Sequence, residues 1–241
     1  MEATPAEPDA WANSSAAILG AGDEQCAPIN FSLKIDVNKP QFVVSSTVGI
    51  FTTIGNFLSI VILTKIICTR KESRNGSTFY LLALSTSDFL QALFVYPMLI
   101  KAQIGGVWSG GVASCNLMAF TGNFFQLLSA MIVSSLALIR FLATYKPFEF
   151  QMHLKRLRVW GAILALIFVV AAIVSAIPFT RYGCIALYPS SGVCSYNFQA
   201  GGARRISLVL ILVLNELALL SIIVFTIGTI ISLNAAARSS T

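Results

Sequence analysis

Residues 112–142 read VASCNLMAFTGNFFQLLSAMIVSSLALIRFL, a run of 31 residues in which the first charged side chain is Arg140. As a helix at 1.5 Å per residue it would extend roughly 46 Å, enough to cross a hydrocarbon core of ~30 Å even when tilted. Lipid offers no partner to backbone N–H and C=O groups, so a helix is the only open form that can span it. The run lacks the period-2 alternation of a barrel strand.

Four further apolar runs have the same character. With this one they fall at about 41–67, 79–102, 112–142, 157–179 and 206–234. Of the 241 residues, 56% are hydrophobic and only 11% charged, against roughly 25% charged in soluble domains. The expected fold is therefore an all-α membrane protein: a tail over residues 1–40, a five-helix domain over 41–234 and a short end over 235–241. The net charge of +6 does not point to nucleic acid, because most of the basic residues flank the apolar runs.

Loop charge sets the expected orientation. Lys65, Arg70, Lys71 and Arg74 follow the first run, and Arg140, Lys146, Lys155, Arg156 and Arg158 surround the third loop. The second loop region has Lys101, and the fourth has Arg181, Arg204 and Arg205. The positive-inside rule then puts the first and third loops in the cytoplasm and the amino terminus outside. The tail carries Glu2, Glu7, Asp9, Asp23, Glu24 and Asp36 against Lys34 and Lys39, without the basic and apolar regions of a cleavable signal peptide. Its sequons at Asn13 and Asn30 suit an extracellular, glycosylated segment, whereas the one at Asn75 falls in a cytoplasmic loop.

Ionisable residues within the spans are functional candidates, because charge in lipid is costly. Asp88 lies about nine residues, or ~13 Å, into the second run. Asn56 and Ser129 are its expected polar neighbours, in a network that holds sodium or a proton or in a plain structural hydrogen bond. Glu216 in the fifth run either lines a pocket or pairs across helices. Cys115, Cys184 and Cys194 fall on the oxidising side, where a disulfide could tether the long loop over the bundle, with free thiols as the alternative. Cys26 is a further possible partner for a loop cysteine, and Cys68 a possible acylation site. Arg140 stands 25 residues, roughly 37 Å, beyond Cys115.

Several function classes find no footing. There is no CxxC pair, and the single histidine, His153, cannot anchor a His-rich metal site, so neither metal nor cofactor is expected. GxSxG, HExxH and phosphate-binding loop motifs are absent, which argues against an enzyme. An intramembrane aspartyl protease would require Asp88 and Glu216 to face each other. A transporter would require more charge in the spans, or inverted repeats.

In order and spacing these landmarks resemble the rhodopsin-like G-protein-coupled receptors. Gly55-Asn56 fits the first helix, Leu84-Ser85-Thr86-Ser87-Asp88 the second, Cys115 and Arg140 the two ends of the third, and Trp160 the fourth. Within that family the chain is most similar to the prostanoid receptors, through Phe79-Tyr80, Ser87-Asp88, Pro97, Trp108-Ser109-Gly110-Gly111, Pro178, Gly183 and Tyr188-Pro189. The fifth run also lacks a proline, as theirs does. The resemblance implies a Cys115–Cys194 disulfide and a G-protein contact at Arg140. It also implies a lipid ligand of prostaglandin type bound near Met98, Gln103, Gly122 and Ser191, with signalling through a heterotrimeric G protein.

The departures from the family pattern are informative. Ile139 stands where the family usually has an acid before the arginine, and Gln103 replaces a tyrosine that helps hold the lipid carboxylate. Ser191-Gly192-Val193-Cys194-Ser195 replaces the usual Gly-Thr-Trp-Cys-Phe. Gly122 occupies the place of the aspartate that pairs an ammonium in aminergic receptors, so a biogenic amine is not expected. With five runs instead of seven, the chain reads as an incomplete receptor. The alternative is a truncated, non-signalling form that regulates a full-length receptor by association.

Overall fold

The computed structural model describes residues 29, 31, 34–35, 39–69, 76–147, 157–198 and 201–239. Among them are five long helices: α1 (Lys39–Thr69), α2 (Gly76–Gly105), α3 (Gly111–Tyr145), α4 (Leu157–Ala176) and α5 (Arg205–Ser239). All five are long and apolar enough to cross a membrane. They extend beyond the apolar runs that mark them, except that α4 gives way to a 3₁₀ turn at Ile177–Phe179. Pro178 lies in that turn, and its missing N–H removes a bond the α-helix would need.

Between α4 and α5 the chain forms a small antiparallel hairpin of β1 (Ile185–Tyr188) and β2 (Val193–Tyr196), with Leu187 opposite Cys194. This element has no counterpart in the all-helical expectation. Its turn closes with the Ser191 and Gly192 amides donating to the Tyr188 carbonyl at 3.2 and 2.8 Å. Gly192 has φ +71°, a left-handed conformation that costs glycine little and other residues more.

The third helix is central, packing against α2, α4, α5 and the hairpin strand β2, whereas α1 packs chiefly on α2. The main core gathers Tyr80, Leu127, Ile132 and Trp160, each at most 2% exposed. There the Tyr80 hydroxyl donates to the Trp160 carbonyl at 3.1 Å, and the two rings meet edge-on with centroids 6.0 Å apart. A second cluster surrounds Trp108, Cys115, Met118, Leu187 and Cys194. Lipid tails are as apolar as the side chains, so close packing and interhelical hydrogen bonds must hold the bundle together.

The contact between α3 and α5 shows both means. The Ser134 and Ser221 hydroxyls are hydrogen-bonded to each other. Further along, the Phe141 ring stacks on Tyr145 and Phe225, with centroids 5.3 and 5.8 Å away. Gly228 lies under that ring, so close that an added Cβ would come within 2.8 Å of it.

Candidate functional site

The candidate residues lie at three levels of the bundle: at the end with the hairpin, within the span, and at the far end of α3 beside Arg140. At the hairpin end, Cys115 on the first turns of α3 is bonded to Cys194 of β2. Both cysteines are almost completely buried, and the bond fixes the hairpin onto α3. Cys184 is disulfide-bonded as well, while Cys26 lies outside the described residues, as do Asn13, Asn30, Asn75 and His153. Cys68 is a free, exposed thiol at the other end of the bundle.

The Trp-x-Gly-Gly segment has a local structural explanation. Trp108 is 5% exposed, and its indole N–H donates to the Gly111 carbonyl at 3.0 Å. The ring therefore packs beneath the hairpin while its polar edge is satisfied by the segment's own backbone. The Ile35 amide donates to the Gly106 carbonyl at 2.7 Å, which brings the tail across the same end.

Of the four residues expected near a ligand, Gln103 and Ser191 come together. The Gln103 amide nitrogen donates to the Ser191 carbonyl at 3.1 Å and approaches the Ser45 hydroxyl at 3.5 Å. The Gln103 amide oxygen is buried without a partner. Met98 instead lines a cavity of about 100 Å³ with Lys101, Ala102 and Trp108. Gly122 faces α2, where its nearest neighbour would be Val95, 3.9 Å from an added Cβ.

Within the span, the Ser129 hydroxyl donates to the Asp88 carboxylate at 2.6 Å. Ser87 and Ser129 are 3.0 Å apart. A serine has one hydrogen to give, and that of Ser129 goes to Asp88, so Ser87 is the donor in the second bond. The result is a relay from Ser87 through Ser129 to Asp88 that ties α2 to α3. Asn56 is not bonded to it: its amide donates to the Thr52 carbonyl one turn back at 2.9 Å. Short polar side chains often fold back onto their own helix in this way. Ser87 entered the sequence reading only as part of the Ser87-Asp88 motif, not as a member of this network.

Glu216 is exposed on α5, while Asp88 is engaged with Ser129. The facing pair of acids that an aspartyl protease would need does not form among the described residues. Arg140 is exposed at the far end of α3. It borders a groove of about 350 Å³ whose walls include Leu84, Val133, Leu136, Ile222 and Thr226. The adjacent Ile139 is 2% exposed and packs in the main core. Hydrophobic burial thus takes the place of an acid beside the arginine.

The sequence profile described as 7 transmembrane receptor (rhodopsin family) matches residues 55–241. The chain belongs to that family. It is a receptor family and not an enzyme family. This rhodopsin-family chain is 31% identical over 158 residues to the prostaglandin E2 receptor EP4 subtype of Bos taurus, covering 64% of this chain and 31% of that protein. To the same receptor of Homo sapiens it is 30% identical over 163 residues, covering 66% and 32%. Melanopsin of Rutilus rutilus is 28% identical over 152 residues, covering 63% and 29%. The chain thus spans about a third of the length of the curated relatives it matches. Squid rhodopsin superposes with a TM-score of 0.68 at 16% identity, over 88% of this chain and 61% of that one. That likeness establishes the fold, to which the described residues contribute five long helices.

Arg181 lies over the Tyr182 ring at 4.9 Å and donates to its hydroxyl. Burial pushes the hydroxyls of Tyr188 and Tyr196 above the usual tyrosine range. The Phe198 amide, which donates to Tyr188, offsets part of that shift, whereas the Tyr196 hydroxyl is buried without a hydrogen-bond partner among the described residues.

Proposed function

We propose that this chain is part of a plasma-membrane receptor for a lipid mediator of prostaglandin type that signals through a heterotrimeric G protein. The observation that carries the reading is its 30–31% identity to prostaglandin E2 receptors of the EP4 subtype. The hairpin end is the extracellular side in this reading. There the disulfide holds the hairpin over α3, and the Gln103–Ser191 contact narrows the entrance between α2 and the hairpin turn. The arginine end is cytoplasmic, and the groove beside Arg140 faces the G protein. Ligand would act by shifting a population toward the state whose cytoplasmic face admits that partner. The relay of Ser87, Ser129 and Asp88, able to take up sodium or a proton, would bias the same equilibrium.

The test is saturable binding of labelled prostaglandin E2 to membranes that express this chain together with a fragment supplying a sixth and seventh helix. Saturable binding that disappears in Cys194→Ala is the expected result. Absence of saturable binding in both the parent pair and the variant, with both polypeptides at the surface, would refute a prostaglandin ligand.

A further inference from the structure

The outer side of α2 carries a groove that the receptor reading leaves unused. Pro97, Ile100, Lys101 and Ile104 of α2 line it with Val107 and Ser109 of the connection to α3, around a volume of about 470 Å³. That size lies within the ~300–1,000 Å³ of small-molecule sites. Pro97, Ile100 and Ile104 follow one another at helical spacing and form a single apolar stripe along α2. Helices bend at proline, and Pro97 stands inside α2 where the stripe begins. A smaller cavity of about 100 Å³, lined by Trp108, shares Lys101 and Ser109 with the groove, so the two meet at the lysine.

The groove is complete without any further helix, because its walls are one helix and the segment that follows it directly in the chain. The Gln103 amide reaches Ser45 of α1 and Ser191 of the hairpin turn, which puts α1 and the covered interior on the Gln103 side of α2. At 100° per residue, Lys101 is roughly 160° round the helix from Gln103, away from both. α1 packs chiefly on α2, and α5 on α3, so these two are the ends of the five-helix arc. A larger bundle closes across those ends and the interior, not over the outer side of α2.

Lys101 closes the apolar run of residues 79–102. Its ammonium is therefore at the level where hydrocarbon gives way to headgroups, which long basic side chains reach by snorkelling. Among the described residues the only acids are Asp88 and Glu216. Asp88 lies about 20 Å back along α2 and Glu216 is on α5, so neither pairs with Lys101.

We propose that this groove binds a single-chain carboxylate amphiphile of the fatty-acid class, drawn from the leaflet on the hairpin side. Its carboxylate pairs with the Lys101 ammonium and its chain lies along Pro97, Ile100 and Ile104. One cation and one apolar stripe match one charge and one chain. A two-chain phospholipid would leave its second chain off the stripe, and an amine would meet the lysine with like charge. Ser109, which borders both cavities, has a hydroxyl to donate to the second carboxylate oxygen. The chain of such a molecule is already in lipid, so transfer from water contributes nothing; the charge pair and close packing supply the preference over bulk lipid. The site is separate from the entrance beside Gln103 and does not rest on the prostaglandin reading.

The experiment uses the full chain in phosphatidylcholine vesicles with a photoreactive fatty acid that carries a diazirine on its chain, and maps the labelled peptide by mass spectrometry. Saturable labelling of the groove-lining residues is expected, displaced by oleate and not by oleyl alcohol. Lys101→Gln should raise the half-saturating fraction of probe roughly five- to tenfold, between the effects of losing an exposed ion pair and a charge-assisted hydrogen bond. Lys101→Arg should hold close to the parent. Ile104→Trp, which fills the groove and leaves the charge, should also weaken labelling. Both positions are exposed, so neither change disturbs the core. The proposal is overturned if labelling does not saturate or maps elsewhere, if Lys101→Gln is labelled like the parent, or if oleyl alcohol competes as well as oleate. Displacement by phosphatidylglycerol at a lower mole fraction than oleate would make the occupant a phospholipid, and would overturn it as well.

Discussion

Removing the Cys115–Cys194 bond tests how the hairpin is held. In the chain-entropy treatment, a cross-link between residues 79 apart restricts the unfolded chain by about 4.5 kcal/mol at 25 °C. That figure assumes that everything between the two cysteines becomes a free coil. Here most of the intervening chain is α3 and α4, which remain inserted as helices when tertiary contacts are lost, because lipid penalises a broken backbone. The segment that gains freedom is residues 180–194, for which the same relation gives about 3 kcal/mol. Cys184 is also disulfide-bonded, so part of that segment stays tethered and 3 kcal/mol is a ceiling. The expected loss for Cys115→Ala with Cys194→Ala is therefore about 2–3 kcal/mol. Unfolding in graded sodium dodecyl sulfate would measure it, followed by tryptophan fluorescence, since Trp108 and Trp160 are both buried. Either single alanine variant should lose nearly as much as the double, because one bond is broken in all three. A loss below about 1 kcal/mol in the double variant, or single losses that add, would refute the account.

Three further outcomes follow from the packing. Gly228→Ala should cost about 1–3 kcal/mol, because the ring it meets is held between Tyr145 and Phe225; Phe141→Leu should recover part of that in a double-mutant cycle, measured by the same unfolding. Ser129→Ala removes the donor of Asp88 and the acceptor of Ser87, and should cost about 0.6–2 kcal/mol, while Ser129→Thr should hold close to the parent. The hairpin should loosen in alkali. The folded-state values of Tyr188 and Tyr196 are raised, so their stabilisation is fully present below the unfolded value near pH 10 and is lost as pH rises through the folded values. Amide exchange across β1 and β2, compared between pH 8 and 11 after correction for intrinsic rates, checks the sign; Tyr196→Phe should flatten part of the dependence.

The helices were legible because lipid leaves one solution to an unbroken apolar run. Their ends were less so, since polar residues such as Lys39 and Gln103 continue a helix beyond the hydrocarbon. The hairpin was missed although its signal is present: two short β-rich segments, Ile185–Tyr188 and Val193–Tyr196, flank a Pro-Ser-Ser-Gly turn. The disulfide pairing came from resemblance to a family, because spacing alone left Cys184 and Cys194 equivalent. The relay at Asp88 was half legible. An acid in a span announces a need for a partner, but the choice between Asn56 and Ser129 depends on which helix faces which, and on whether the asparagine bonds its own backbone first. Gly228 gave no signal at all, because its role exists only where the Phe141 ring arrives.

The two ends of α3 are fastened by different physics, and this bears on where the bundle can move. At the hairpin end the fastening is covalent, through Cys115, and is buried beneath Trp108 and Leu187. Near the middle it is polar, through Ser129 to α2 and Ser134 to α5. Beyond Ser134 the contact of α5 with α3 includes the stacked rings of Phe141, Tyr145 and Phe225 and the close approach of Gly228, and a ring can slide over its neighbour at far less cost than a bond or hydrogen bond can break. Displacement of α5 relative to α3 should therefore concentrate between Phe225 and Ser239, with the Ser134–Ser221 contact as its pivot. That is the stretch of α5 that borders the groove beside Arg140, so the part of the bundle free to move is the part that shapes the groove. Spin labels at Thr229 and Leu142 should report a broad distance distribution, and a pair at Cys115's end of the bundle, on Ser114 and Val209, a narrow one. Equal widths at the two ends would remove the pivot from the account.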